Sequence, residues 1–154
     1  MFSHPLKKVL LSGLLVGTLD ILAAFVDVYV NNGKPLAVLN YIATGAFGKT
    51  EFAASNGGAV MGLLFHYIIA FAFTLFFFWL YGQTKLLSKN WILTGIVYGL
   101  FIWVVMNLVV VQLSNTAHKP ISQMDPKKAL KAALILICMI GLPLSFIANK
   151  TSKK

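Results

Sequence analysis

The sequence predicts an all-α fold, an integral membrane four-helix bundle with a short additional helix between the first two spans. Three observations lead to this fold class. Hydrophobic residues make up 58% of the 154 positions. Only 11% of the residues are charged, against roughly 25% in soluble domains. Four apolar runs are long enough to cross a bilayer. So few charges cannot cover a globular surface, and we therefore expect lipid to cover much of it.

The four predicted spans form a single transmembrane domain and cover approximately residues 9–30, 58–81, 91–113 and 129–148. At about 1.5 Å of rise per residue, each helix extends roughly 30 Å, the thickness of the hydrocarbon core. The runs are continuous rather than alternating, which favours helices over barrel strands. The first run is longer than the apolar region of a signal peptide and contains Asp20, so we expect it to be retained.

Residues 35–48 are apolar but too short to span a bilayer. Pro35 stands near the start of this segment, and Gly45 or Gly48 stands near its end, as at helix termini. Two interpretations stay open: an interfacial helix at the mouth of the bundle, or a re-entrant half-helix that lines a cavity.

The connections between spans carry most of the charge. The chain has a formal net charge of +9, and its lysines lie mainly beside the apolar runs. Lysines at these places indicate headgroup anchors, so we expect membrane lipids and no nucleic acid as partners. The short loop with Lys85 and Lys89 predicts that the second and third spans are antiparallel neighbours. The segment from Ser114 to Lys128 is predicted to be connecting chain.

The lysines also bear on orientation. With the N-terminus inside, seven lysines lie on the cytoplasmic side and six on the outer side. The weight that the positive-inside rule gives to the first helix favours a cytoplasmic N-terminus.

Each span carries small and polar residues at helical spacing, which places them on one face. The four faces are Gly13, Gly17, Asp20, Ala24, Asp27 and Asn31; Gly58, Gly62, His66, Ala70 and Thr74; Gly95, Gly99, Trp103 and Asn107; and Cys138, Gly141, Ser145 and Ala148. Glycine pairs four residues apart allow helix backbones to approach closely in lipid. Gly13 with Gly17, Gly58 with Gly62, and Gly95 with Gly99 are therefore predicted to be helix-packing residues.

Asp20 lies near the middle of the first span, where a carboxylate costs about 2.5–3.5 kcal/mol to insert. It must be neutralised, paired or hydrated there. His66 is the predicted partner on a neighbouring helix, and Asn107 lies at a similar depth, with Asp27 nearer the loop. Two interpretations stay open for this set: a hydrogen-bond network that fixes helix register, or a binding site for a proton or small solute.

Several chemistries have no pattern in the sequence. It contains no H-E-x-x-H, P-loop or G-x-S-x-G motif, and Cys138 is the only cysteine. We therefore expect no enzyme activity, no cofactor and no metal.

Four groups of short stretches resemble a group of small bacterial inner-membrane proteins with four predicted spans. They are Gly17-Thr18-Leu19-Asp20, Leu64-Phe65-His66, Tyr98-Gly99 with Val105-Met106-Asn107, and Gly141-Leu142-Pro143. The resemblance covers most of the chain and implies a bacterial source and a multi-pass location in the inner membrane. The group has no assigned activity, so the resemblance implies no ligand or catalytic residue.

Two functions follow as hypotheses. The first is an accessory or scaffolding subunit of a larger membrane complex, which docks through its apolar outer faces. The second is a small transporter or channel-like protein that uses Asp20, His66 and Asn107. One four-helix chain encloses little volume, so the second hypothesis predicts a homo-oligomer.

Overall fold

The computed structural model describes residues 5–84, 90–116 and 123–152, and the regular elements in these ranges are helices. In chain order they are α1 (Pro5–Val30), α2 (Leu36–Phe47), α3 (Glu51–Ala54), α4 (Asn56–Gln83), α5 (Trp91–Leu113) and α6 (Pro126–Thr151). The predicted all-α fold class is confirmed. The loop that contains Lys85 and Lys89 lies outside the described residues.

Four of these helices, α1, α4, α5 and α6, are long and apolar enough to cross a membrane. Their outer surfaces are strongly apolar, since Val30, Val60 and Leu113 are 72%, 68% and 82% exposed. Exposed apolar surface on this scale is not typical of a soluble monomer. The four long helices coincide with the four predicted spans; α5 has the predicted limits, and the other three extend a few residues further.

Side chains at the helix starts explain where the later helices begin. The side-chain oxygens of Ser55, Asn90 and Asp125 each accept a hydrogen bond from a backbone N–H of the first turn of α4, α5 and α6. Such caps satisfy donors that the helix itself leaves unpaired. Pro126 is the first residue of α6, so the predicted connecting chain from Ser114 to Lys128 ends earlier than expected.

The short helix α2 occupies the segment for which two interpretations were open. It ends at Gly48, whose φ of 68° lies in the left-handed region that glycine tolerates best. The helix packs on α4, and a Cβ added at Gly62 would collide with the Leu39 carbonyl oxygen. The Asn40 amide donates hydrogen bonds to the carbonyl oxygens of Ala53 and Ser55, which ties α2 to α3 and to the start of α4.

The long helices form two closely packed pairs. Gly13 and Gly17 of α1 lie against α4, and Gly95 and Gly99 of α5 lie against α6. A Cβ added to Gly141 would in turn collide with the Gly95 carbonyl oxygen. Small residues therefore set the α1–α4 and α5–α6 contacts.

Helices α4 and α5 meet in a different way, through large side chains. The Tyr98 hydroxyl donates a 2.6 Å hydrogen bond to the Phe73 carbonyl oxygen, and the Phe77 and Tyr98 ring centroids are 4.7 Å apart. Ile69 and Met106 line a common cavity further along the same two helices. Since residue numbers rise in α4 as they fall in α5, the two helices are antiparallel neighbours, as predicted.

Two π-helical segments interrupt the second pair, Met106–Val110 in α5 and Ile137–Gly141 in α6. Each widens its helix by one residue per turn and shifts the register of the residues that follow. Both segments start near the middle of the bundle, beside the residues described next.

Candidate functional site

The predicted polar face of α1 has two structural parts. Gly13 lies against the Phe71 ring of α4, and the next small residue, Gly17, lies beside Tyr67. This first part is a packing surface. The second part lines a large cavity and consists of Asp20, Ala24, Asp27 and Asn31.

The large cavity has a volume of about 810 Å³ and lies between α1, α2, α5 and α6. Most of its lining is apolar, but all four elements contribute polar side chains. These are Asp20, Asp27 and Asn31 from α1 and its end, Tyr41 from α2, Trp103 and Asn107 from α5, and Lys128 and Lys131 from α6. A mostly apolar cavity with a few convergent polar groups is typical of a ligand site.

Charged side chains stand at one end of this cavity, which we call its mouth. Asp27 and Lys131 form an ion pair there. The Asn31 amide donates a 2.6 Å hydrogen bond to the Asp27 carbonyl oxygen, and Lys128 is exposed beside them. The mouth therefore lies at the end of the bundle where α1 ends and α6 begins.

Asp20 lies about two helical turns further in than Asp27, roughly 10 Å along α1. It also lines a second cavity, of about 90 Å³. Asp20, Met106 and Leu136 line both cavities and therefore lie between them. Within the described ranges, no hydrogen bond reaches the Asp20 carboxylate. Asp20 is thus the ionisable group at which the two cavities meet.

His66 lines the small cavity together with Asp20 and is close enough for their charges to interact. Its hydrogen bond, however, goes elsewhere: Nε2 lies 2.8 Å from the Gly17 carbonyl oxygen. A carbonyl can only accept, so Nε2–H donates. Asp20 and His66 therefore share a cavity, as expected of partners on neighbouring helices, but the hydrogen bond of His66 goes to Gly17.

A second hydrogen bond joins the same two helices. The Thr18 hydroxyl donates to the Leu14 carbonyl oxygen at 2.7 Å, so it is the Tyr67 hydroxyl that donates to Thr18 Oγ1, at 2.8 Å. Together with the His66 bond, this contact fixes the register of α1 against α4. Helical spacing alone does not predict this contact, because it assigns residues to faces and does not say which atoms of two helices meet.

Asn107 lies at the start of the π-helical segment of α5 and faces the large cavity. Its Nδ2 donates a 2.8 Å hydrogen bond to the Trp103 carbonyl oxygen, one turn earlier. The Trp103 indole Nε1 is buried and has no hydrogen-bond partner in the described part of the chain. Asn107 and Asp20 therefore share the large cavity, but Asn107 does not line the small cavity that holds His66.

The structure thus distributes the four predicted site residues over two adjoining cavities. Asp20, Asp27 and Asn107 line the large one, and His66 joins Asp20 in the small one. Sequence reasoning missed two residues of this site, Lys128 at the end of the predicted connecting chain and Lys131 near the start of the fourth predicted span. Their spacing of three, continued by Ala132 and Ile135, was the signal that they share one helical face.

Among the described residues, no three His, Cys, Asp or Glu side chains come together as a metal site would require. Comparisons with protein-family models, with curated proteins and with solved structures find no match to this chain. The resemblance to small bacterial inner-membrane proteins therefore stays a prediction.

Proposed function

We propose that this chain is a multi-pass protein of the bacterial inner membrane that binds a small polar solute in its large cavity, as a transporter or channel-like protein does. The membrane part of the proposal is supported by the four long apolar helices and their exposed apolar surfaces. Within this proposal α2 is a re-entrant helix. This placement is supported by Tyr41, which lines the large cavity and also an apolar cavity between α2, α4 and α5.

One observation carries the solute-binding part. Asp20 faces two cavities, and no hydrogen bond from the described residues satisfies its carboxylate. A carboxyl group in the middle of a membrane protein is costly unless it is protonated, hydrated or bound to something. Asp27 contrasts with it, because an ion pair with Lys131 already satisfies that carboxylate. Asp20 is therefore the group free to accept a hydrogen bond from a ligand.

The surroundings of Asp20 fit such a role. Met106, which begins the π-helical segment of α5, lies beside it, and Leu136 immediately precedes the π-helical segment of α6. Short π-helical segments within α-helices occur often at functional sites. Beyond Asp20, the small cavity leads to His66, whose Nε2–H is bound to the Gly17 carbonyl oxygen.

Native mass spectrometry of the protein from its own membrane, in mild detergent, tests this proposal. We expect the wild-type chain to retain a bound molecule and Asp20→Asn to lose it, because an amide cannot replace the charged acceptor. Glu51→Gln is the matched control, since Glu51 is exposed on α3 and lies outside both cavities. Equal retention by wild type and Asp20→Asn would refute Asp20 as the binding group.

The accessory-subunit hypothesis stays a prediction that the same measurement tests. Exposed apolar side chains such as Phe76 and Phe101, which stack at 5.6 Å, can contact either lipid or another protein. A fixed assembly with other chains would favour the subunit hypothesis. A homo-oligomer with a bound small molecule would favour the solute-binding proposal.

A further inference from the structure

Three apolar cavities follow one another between α4 and α5, with volumes of about 260, 340 and 180 Å³. The first and second share Ile69 and Val110 as wall residues. The second and third share Phe76 and Phe101. The three cavities lie in a row along the seam between the two helices, which we call the α4–α5 groove.

The groove exists because α4 and α5 are held apart. Rings such as Phe77 and Tyr98 fill the space between them, whereas glycines bring the other helix pairs together. Its walls are almost wholly apolar. On α5 and its end the wall residues extend from Ser114 to Thr94, which is roughly 30 Å along the helix and about the thickness of a hydrocarbon core. The groove is therefore long enough to hold an extended acyl chain.

The end of the groove that lies beside α2 adjoins the large cavity. Tyr41 of α2 and Met106 of α5 line both of them. Helix α2 is held over this junction, because the Asn115 backbone N–H donates a 3.0 Å hydrogen bond to the Gly45 carbonyl oxygen, just beyond the end of α5. The large cavity, with two lysines at its mouth, thus adjoins the apolar groove.

We propose that the solute is the polar head of a phospholipid-like amphiphile, whose phosphate-bearing head lies in the large cavity and whose acyl chain lies in the α4–α5 groove. This inference rests on the proposed function, because a hydroxyl or ammonium donor on the head, beside the phosphate, is the group from which Asp20 accepts a hydrogen bond. Lys128 and Lys131 at the mouth supply the positive charge that a phosphate needs. Asp27 neutralises Lys131 in the ligand-free chain and leaves Lys128 as the first contact.

A second copy of the chain is the competing occupant of the groove. An apolar helix from another copy would cover the apolar walls but has no polar group for the large cavity, which adjoins the groove at Tyr41 and Met106. An amphiphile matches both the apolar walls and the charged mouth. The two occupants differ in mass, so one experiment separates them.

The test is native mass spectrometry of groove and mouth variants, extracted from the membrane in mild detergent. Ala72→Trp places a large ring in the middle of the groove, and we expect the lipid-bound fraction to fall about tenfold. Val60→Trp is the matched control, because Val60 lies on the same helix, is 68% exposed and does not line the groove. We expect it to keep the wild-type lipid content.

A mouth variant keeps the test decisive if the tryptophan disturbs folding. Lys128→Gln is expected to lower the lipid-bound fraction about fivefold, as the loss of one lysine beside phosphate headgroups predicts. Lys127→Gln is its control, because Lys127 is equally exposed but does not line the cavity.

Each other outcome overturns the inference in a recognisable way. Equal lipid content in wild type, Ala72→Trp and Lys128→Gln would show that the groove holds no specific lipid. A lipid-free dimer that Ala72→Trp dissociates would show that a second copy covers the groove. A bound molecule without an acyl chain, lost in Asp20→Asn alone, would overturn the amphiphile and leave the proposed function intact. A lipid that is lost in Ala72→Trp but kept in Asp20→Asn would instead contradict the proposed role of Asp20.

Discussion

His66 donates to a backbone carbonyl because of the residue that faces it. Gly17 has no side chain to cover its carbonyl oxygen, so the imidazole of the neighbouring helix reaches it at 2.8 Å. Helical spacing predicted that His66 and Asp20 face the bundle interior. It could not predict which atoms meet, because one residue of axial offset between two helices decides whether a side chain reaches a carboxylate or a carbonyl.

The hydrogen bond between Tyr67 and Thr18 can be measured by itself, because Tyr67→Phe removes one hydroxyl and little else. We expect this variant to lower the free energy of unfolding by about 0.6 kcal/mol and by no more than about 1.7 kcal/mol, the range for interhelical bonds in membranes. Reversible unfolding of the purified protein in mixed micelles, with denaturing detergent as the variable, gives this value.

The matched control for this measurement is Tyr29→Phe. Tyr29 is 71% exposed at the end of α1, and none of the residues that the structure describes hydrogen-bonds to its hydroxyl. Its free energy of unfolding should equal that of the wild type. An equal loss in both variants would mean that the tyrosine hydroxyls act through solvation rather than through the contact between α1 and α4.

At the scale of the elements, the sequence predicts the packing glycines and the approximate ends of the helices. Some of the predicted packing glycines lie against the backbone of another helix, since Gly62 faces the Leu39 carbonyl oxygen and Gly99 faces the Ile137 backbone, whereas Gly13 faces the Phe71 ring. The two π-helical segments were not predictable, because the spacing argument assumes 3.6 residues per turn throughout. The contact of Gly62 with α2 was not predicted either, since spacing identifies a packing face but not the helix that covers it.

The approach of α2 to α4 yields a prediction at this scale. In Gly62→Ala the added Cβ would collide with the Leu39 carbonyl oxygen, which belongs to backbone and cannot rotate away. We expect the free energy of unfolding to fall by about 1–3 kcal/mol, the cost of overpacking a tight contact. Thermal unfolding followed by circular dichroism in detergent measures the change.

Gly82→Ala is the control on the same helix, because nothing lies within 4 Å of a Cβ added there. Its stability should equal or slightly exceed that of the wild type, since alanine favours a helix over glycine. If Gly62→Ala were as stable as Gly82→Ala, α2 would not be held against α4 as closely as the structure shows.

At the scale of the whole molecule, the cavities depend on how four elements converge. The sequence places Asp20, Asp27 and Asn107 on inward faces, and these residues do line one cavity. Of the two lysines in that cavity, Lys128 comes from a helix start that the sequence assigned to connecting chain, and Lys131 from the first residues of the fourth predicted span. Local periodicity specifies faces, whereas a cavity depends on the gaps that large side chains such as Phe77 and Tyr98 leave between helices.

The same arrangement makes the orientation of the bundle testable. The end of α1 and the end of α4 lie on opposite sides if both helices cross the membrane, so a single cysteine at each end reports its side. We expect Asn31→Cys to react with a membrane-impermeant maleimide in intact spheroplasts, and Gln83→Cys to react only after lysis. Both positions are exposed, and Cys138→Ser in the background removes the native thiol.

The outcome decides between distinct arrangements of the chain. Labelling in the predicted order supports a cytoplasmic N-terminus. The lysines at the start of the first helix favour this orientation, although the total numbers of lysines on the two sides are nearly equal. The reverse order would place the mouth of the large cavity, with Lys128 and Lys131, on the cytoplasmic side, where anionic headgroups attract lysines most strongly. Labelling of both positions from one side would contradict the crossing of α1 or α4, and with it the membrane proposal.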